Sequence, residues 1–244
     1  NNATYRYGPN QYFNTIDLFS VGSIEVARGT GSVQYGSDAM GGVIQVFTKD
    51  PGFSEKSKWS GNIIGRVLSN DVEYTGRTEL VYSSRKTAMQ VGYTSRKFGD
   101  LPGGDTTGLQ SPSGYKEQAI DLKFKWQLNQ QWTLTAMHQQ NQQKNVPLYH
   151  RVALENFAYY VFDPQNRKLS YVRLEGNSSQ PLFSKMNFTA SVQHNRERRS
   201  YQRNGNANRF VEEDKVMTIG LTADVFSVFN DAWTANTGIE YYTD

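Results

Sequence analysis

From Trp59 onward the hydrophobic residues of this chain recur at every second position. Trp59, Gly61, Ile63, Gly65 and Val67 fall on one face and Ser60, Asn62 and Arg66 on the other, with Ile64 and Leu68 as exceptions. Val72, Tyr74, Thr78, Leu80 and Tyr82 alternate with Glu73, Thr75, Arg77 and Glu79, and Met89, Val91 and Tyr93 continue the apolar set. The clearest run sets Ile120, Leu122, Phe124 and Trp126 against Asp121, Lys123 and Lys125. A period of two marks a strand with one apolar and one polar face. The alternation returns near Trp132, Val172, Met186, Met217 and Trp233, so the pattern predicts an all-β chain with about nine antiparallel strands.

The connections add a rhythm. After a first turn at Asn70-Asp71 they alternate between short, near residues 85, 129, 181 and 230, and long, near 106, 155 and 208. The long ones read as loops over Gly99–Gly114, Lys144–Arg167 and Gln202–Asp214. Aromatic residues gather beside the short turns: Trp59, Tyr82, Trp126, Trp132, Phe226, Phe229 and Trp233. Membrane β-barrels have short turns on one side, long loops on the other and aromatic girdles at the interfaces. The pattern therefore predicts a lipid-facing barrel wall with its short turns on the periplasmic side. A water-soluble sandwich also alternates, but it explains neither the rhythm nor the one-sided tryptophans. Nine tilted strands would close at roughly 18 Å across, too narrow for a plug. The expectation is an open sheet belonging to a barrel of about 22 strands.

Before Trp59 the spelling differs. Ile24-Glu25-Val26 reads as a short strand and Arg28-Gly29-Thr30-Gly31 as a tight turn. Ser32–Asp38 reads as a helical or turn segment ending in Tyr35-Gly36, Gly41-Gly42 as a close backbone contact, and Val43–Phe47 as a buried-looking strand. Ile24, Glu25, Val26, Arg28, Gly29, Ser32, Tyr35, Gly36, Ala39, Gly41, Gly42, Val43, Ile44, Thr48 and Lys49 stand in one fixed register. In that register the stretch resembles the end of the plug domain of TonB-dependent outer-membrane receptors. Thr30 departs from it, where the family usually has Pro. The resulting division is 1–50 as the end of a plug, 51–58 as a Pro- and Gly-containing charged linker, and 59–244 as the N-terminal part of a transmembrane β-barrel.

Composition narrows the alternatives. The 244 residues include no Cys, hence no disulfide framework and no Cys-based metal site. A net charge of +3 implies no nucleic-acid partner. Mean hydropathy of −0.67 and the lack of a long apolar run exclude membrane helices but not a membrane barrel. The chain opens on Asn with no signal peptide, so a fragment of a longer exported precursor is expected. No Gly-x-Ser-x-Gly, HExxH or paired-carboxylate motif supports a hydrolase.

The resemblance implies function as well as fold. TonB-dependent receptors carry scarce nutrients such as ferric siderophores, haem, cobalamin and some sugars across the bacterial outer membrane. They are driven by the inner-membrane TonB complex pulling an N-terminal box, here expected upstream of Asn1. Iron-complex uptake is the leading expectation, with outer-membrane lipid as the surroundings, no intrinsic cofactor and no covalent chemistry, so not an enzyme. A passive or adhesion-type barrel pore, or a receptor for cobalamin or an oligosaccharide, is the alternative. In the family the signature arginine, here Arg28, pairs with wall carboxylates, and Glu25 belongs to the same charged lock. The family's usual acceptors are expected either on strands outside this sequence or, by parity, at the lumen-facing Glu73, Glu79 and Asp121, and a solvated pair in the wet lumen is the alternative. Gly29, Gly36, Gly41 and Gly42 read as packing glycines. The second long loop, with KFGDLPGGD and GYKEQ, resembles the haem and haemoglobin-type branch. Tyr149, His150 and Arg151 are its ligand-binding candidates, and Tyr149-His150 is either a haem-iron contact or an ordinary loop pair. His138 and His194 share parity with lipid-facing residues and read as neither metal ligand.

Overall fold

The computed structural model describes residues 15–29, 41–104 and 106–244. A 3-10 turn, Leu18–Ser20, leads into β1 (Val21–Arg28), which pairs antiparallel with β2 (Gly42–Thr48) as a separate hairpin. Beside this hairpin stands the wall. Its strands are β3 (Lys58–Leu68), β4 (Glu73–Ser83), β5 (Thr87–Phe98), β8 (Tyr115–Gln127), β9 (Trp132–Lys144), β11 (Phe157–Asn177), β12 (Lys185–Arg203), β13 (Phe210–Asn230) and β14 (Trp233–Thr243). They pair in sequence order, antiparallel throughout, with β3 and β14 at the two edges. Two-residue strands β6 (Leu101–Pro102) and β7 (Leu109–Gln110) pair within the first long connection. β10 (Val146–Pro147) pairs with β11, and a short helix α1 (Tyr149–Leu154) fills the second connection.

The wall is inverted relative to a water-soluble sheet. Arg77 is 1% exposed and Thr94 0%, whereas Ile63 is 83% and Ile239 72% exposed. The predicted parity holds strand by strand, with polar residues toward the hairpin and apolar residues away from it. Water is absent from the lipid side and present, with the plug, on the other, so the usual burial rule reverses. The first turn also fits. Asn70 and Asp71 take φ of 59° and 57°, the left-handed pair of a two-residue hairpin, which these side chains tolerate.

Two expectations are corrected. The predicted loops Lys144–Arg167 and Gln202–Asp214 are largely strand: β11 starts at Phe157, β12 runs to Arg203 and β13 starts at Phe210. β11 and β13 are 21 residues long, about twice what crossing a bilayer requires. In their outer parts the outward face turns polar too, as at Asn166 and Lys168 on β11 and Glu213 and Lys215 on β13. The ladder continues there while the hydrophobic period that reveals it vanishes. The strand Val43–Phe47 is also less buried than its composition suggests: Ile24, Val26, Ile44 and Phe47 are 55%, 61%, 51% and 45% exposed. The ion pairs between this segment and the wall come from residues flanking the hairpin, Asp17, Lys49 and Asp50.

Candidate functional site

The contact between hairpin and wall is built around Asp17. Its carboxylate caps the Leu18–Ser20 turn by accepting from the Phe19 amide at 3.1 Å. It also accepts from three residues on two neighbouring wall strands: Thr94 at 2.6 Å, Arg96 at 2.5 Å and Arg77 at 3.2 Å. The Arg77 guanidinium, its side chain 0% exposed, is bidentate to Asp121 at 2.8 and 3.2 Å and donates to Glu79 at 2.7 Å. Lys49 at the end of the hairpin donates to Glu79 at 2.9 Å. Arg96 pairs with Glu117, which accepts from Gln143 at 2.8 Å. A second foot is Asp50, 2.5 Å from Lys125 and 3.5 Å from Lys123, while Lys123 donates to the Lys49 carbonyl at 2.7 Å.

Carboxylates and cations therefore match: Asp17, Asp50, Glu79, Glu117 and Asp121 face Lys49, Arg77, Arg96, Lys123 and Lys125. A guanidinium held this deep is tolerated because its fork is filled by carboxylates. Space for it comes from Gly92, which lies opposite both Glu79 and Asp121. A Cβ there would overlap the Arg77 guanidinium and sit 2.6 Å from an Asp121 oxygen.

The sequence-predicted residues fall as follows. Glu73, Glu79 and Asp121 are lumen-facing and buried, in keeping with their parity. Glu25 and Arg28 lie on β1 and are exposed. Glu25 lines a cavity of about 770 Å³ between hairpin and wall, whose other residues include Lys123, Arg167 and Arg173. Among the described residues the cations of these contacts are Lys49, Arg77, Arg96, Lys123 and Lys125. Gly29 takes a φ of +100°, and Gly42 brings its Cα side to the Ala27 carbonyl, which a Cβ would approach to 2.8 Å. A Cβ at Gly41 would meet nothing within 4 Å. Gly36, with the Ser32–Asp38 segment, lies outside the described residues.

A second surface stands at the outer end of the same lumenal face. Phe162 pairs with Arg199, Tyr160 with Tyr201 and Tyr201 with Phe210, continuing the inward parity of Gln193 and Glu197. The rings of Tyr160, Tyr201 and Phe210 stack with centroids 5.2 and 5.3 Å apart. Phe157 meets Tyr160 edge-on at 5.3 Å, and Arg203 lies 4.5 Å over the Phe157 ring. Arg199 is held by Glu212; burial lowers its pKa, but that carboxylate outweighs burial and raises it. Burial, then the Glu212 hydrogen bond, pushes the Tyr201 phenol up. The candidates Tyr149, His150 and Arg151 all lie on α1 beside this ledge. His150 is exposed and Tyr149 half-buried, and Arg151 pairs with Glu155 and lies 5.7 Å over the Tyr160 ring. His138 is on the apolar outer face, bonded to Ser170 at 2.8 Å, and His194 is exposed on the same side. Among the described residues no cluster of three His, Asp or Glu side chains suits a metal ion.

The family profile of the TonB-dependent Receptor Plug Domain matches residues 1–43, which include Asp17, β1 and the first two residues of β2. Over residues 1–43 the chain is thus similar to the plug of TonB-dependent outer-membrane receptors. Solved receptor structures share the fold over nearly all of it. The copper transporter OprC superposes with a TM-score of 0.76 at 11% identity, covering 91% of this chain and 33% of OprC. The ferric enterobactin receptor PfeA of Pseudomonas aeruginosa gives 0.64 at 17%, covering 91% and 36%. The ferric yersiniabactin uptake receptor FyuA of Yersinia pestis gives 0.60 at 15%, covering 92% and 44%. The chain thus spans between a third and a half of the length of these receptors. No curated protein sequence matches it.

Proposed function

We propose that this receptor imports an iron complex, a ferric siderophore or haem, and that the inner-membrane TonB system supplies the energy by pulling on the plug. The observation that carries the reading is the polar clamp at Asp17. Water can replace each of its hydrogen bonds in turn, so a pulled plug can leave the wall without exposing an apolar interface. The ledge of Phe157, Tyr160, Tyr201 and Phe210 with Arg199 and Arg203 suits a planar, anionic iron ligand, because rings stack on ligand rings and guanidinium groups bind carboxylates and catecholates. In this reading Tyr149 and His150, on α1 beside the ledge, are the side chains that would contact a haem iron, and Glu25 and Arg28 would belong to the plug's charged lock. The names of PfeA and FyuA support a siderophore. That of OprC supports a second reading, uptake of another metal.

The test is to express the whole coding region with a signal peptide and titrate the purified receptor with haemin, a ferric catecholate and copper(II). Binding of either iron complex, with TonB-dependent uptake in cells, is the expected result. Loss of haemin binding in His150→Ala with catecholate binding intact would assign α1 to haem. Copper binding without either iron complex, or ion conduction that needs no TonB, would overturn the proposal.

A further inference from the structure

Asn204 and Gly205 lie in the connection between β12 and β13 and form the one Asn-Gly step in the sequence. The Asn206 amide donates to the Arg203 carbonyl at 3.2 Å, so residues 203–206 make a four-residue turn. Gly205, at its third position, takes a φ of +74°. A type II turn requires such a value there, and glycine adopts it at no steric cost. Arg203 through Arg209 are all exposed. Among the described residues the Gly205 amide donates to nothing. The turn therefore holds a bare backbone nitrogen one residue after a side-chain amide, open to water and with no Cβ beside it.

We propose that Asn204 is a site of spontaneous deamidation. Hydroxide takes the proton of the Gly205 amide, and that nitrogen attacks Cγ of Asn204. The new bond joins the Gly205 nitrogen to Cγ, the Cγ–Nδ2 bond breaks, and the side-chain nitrogen leaves as ammonia after taking a proton from water. The product is a five-membered cyclic imide. Water then adds to one of its two carbonyls and opens it to aspartate or isoaspartate, so no oxidant or reductant takes part. Asparagine is among the thermolabile residues, and a following glycine leaves the ring closure uncrowded.

The same loop holds two comparison sites. Asn206 precedes Ala207 and Asn208 precedes Arg209, and both asparagines are exposed, but in each case the attacking nitrogen belongs to a residue with a Cβ. One contact restrains Asn204. Its Nδ2 donates to Oδ1 of Asn156 at 3.0 Å, beside a backbone bond from its amide to the Asn156 carbonyl at 3.1 Å. A carboxylate only accepts hydrogen bonds, so deamidation removes the side-chain link. It also sets a negative charge between Arg203, 4.5 Å over the Phe157 ring, and Arg209, 5.7 Å over the Tyr159 ring. A covalent change in the turn thus reaches the rim of the aromatic ledge.

The full-length receptor in detergent micelles would be kept warm at neutral and at mildly alkaline pH. It would be sampled over days by peptide mass spectrometry that separates aspartate from isoaspartate, with thermal unfolding recorded on each sample. Asn204 is expected to convert severalfold faster than Asn206 and Asn208, faster at the higher pH, and with isoaspartate among the products. Asn156→Ala frees the side-chain amide and is expected to speed conversion severalfold. Gly205→Asn keeps a residue that tolerates positive φ but adds a Cβ, and is expected to slow it severalfold. Conversion at Asn204 no faster than at Asn206 and Asn208, or aspartate formed without isoaspartate, would overturn the proposal. Conversion confined to samples that have lost their melting transition would overturn the assignment to the folded turn.

Discussion

At the scale of single residues, the lock depends on an absence of side chain. Gly92 leaves room for the Arg77 guanidinium, and Gly92→Ala places a methyl group against that guanidinium and 2.6 Å from Asp121. Arg77 and Asp121 must then shift apart. Only side-chain tips move while Glu79 and Asp17 still hold Arg77, so the cost stays below the about 3–5 kcal/mol of deleting one partner of a buried pair. The expected result is a lower unfolding midpoint in detergent than for Gly76→Ala, where a Cβ meets nothing within 4 Å; equal midpoints would show that the guanidinium relocates freely. Asp17→Asn tests the other partner. It keeps the turn cap but removes the charge that Arg77 and Arg96 share, so residues 15–29 should exchange amide hydrogens faster while the wall strands do not. Unchanged exchange would mean that Asp17 is not the clamp. Parity in the sequence marked Glu79 and Asp121 as inward, because the alternation states which face a side chain takes. It did not mark Asp17 or Arg77 as partners, since periodicity along one strand carries no information on which plug residue arrives opposite it. The local signal available was Asp17 followed by Leu18-Phe19-Ser20, an aspartate placed to cap a turn.

At the scale of elements, the wall strands were legible where lipid touches them and illegible above. The Ile120–Trp126 run alternates because one face is in hydrocarbon and the other in a wet lumen. The outer part of β11 has water on both sides, so Phe157–Arg167 looks like loop in composition while hydrogen-bonding as strand. The first long connection, correctly read as a loop, contains its own clasp. Asp100 accepts from the amides of Ser113 and Gly114 at 2.7 and 2.8 Å and so ties the two ends of the loop together. Its carboxyl pKa lies below the ordinary 3.8, through the Ser111 hydroxyl first and then these two amides. A depressed folded-state pKa stabilises the clasp above the unfolded value and loses that contribution as pH falls through the lower folded one. Loop 99–114 should therefore hold its protease resistance from neutral pH down to the ordinary carboxyl value of 3.8 and lose it progressively as the pH falls further. Asp100→Ala, which removes the acceptor oxygens altogether, should be susceptible at every pH. A wild-type loop cut equally at neutral and acid pH would remove the clasp from the account.

At the scale of the whole molecule, the one-sided aromatics decide how the wall sits in the bilayer. All four tryptophans, Trp59, Trp126, Trp132 and Trp233, lie at strand ends beside the short connections. Trp59 and Trp233 are 60% and 70% exposed and Trp126 46%, and Trp132 lies over Gly176 on the same outward face. Indole rings favour the headgroup level, where an apolar body and a polar N–H are both satisfied. The opposite end of the outward face carries no tryptophan and has instead a row of exposed lysines, Lys97, Lys116 and Lys144, directly opposite one another on β5, β8 and β9, so the two boundaries differ chemically and the wall has a defined direction. In vesicles, lipids brominated near the headgroup should quench the intrinsic fluorescence more strongly than lipids brominated near the chain ends. The four indoles should behave as one shallow population. Leu122→Trp, in the middle of the apolar face, should add a second, deeply quenched component without altering the first. Strong quenching of the unmodified protein by the deep bromines would put the tryptophans near the bilayer centre. The apolar belt and the lysine row would then both be displaced from the levels that their chemistry requires, and the wall would have to lie in the membrane at another height.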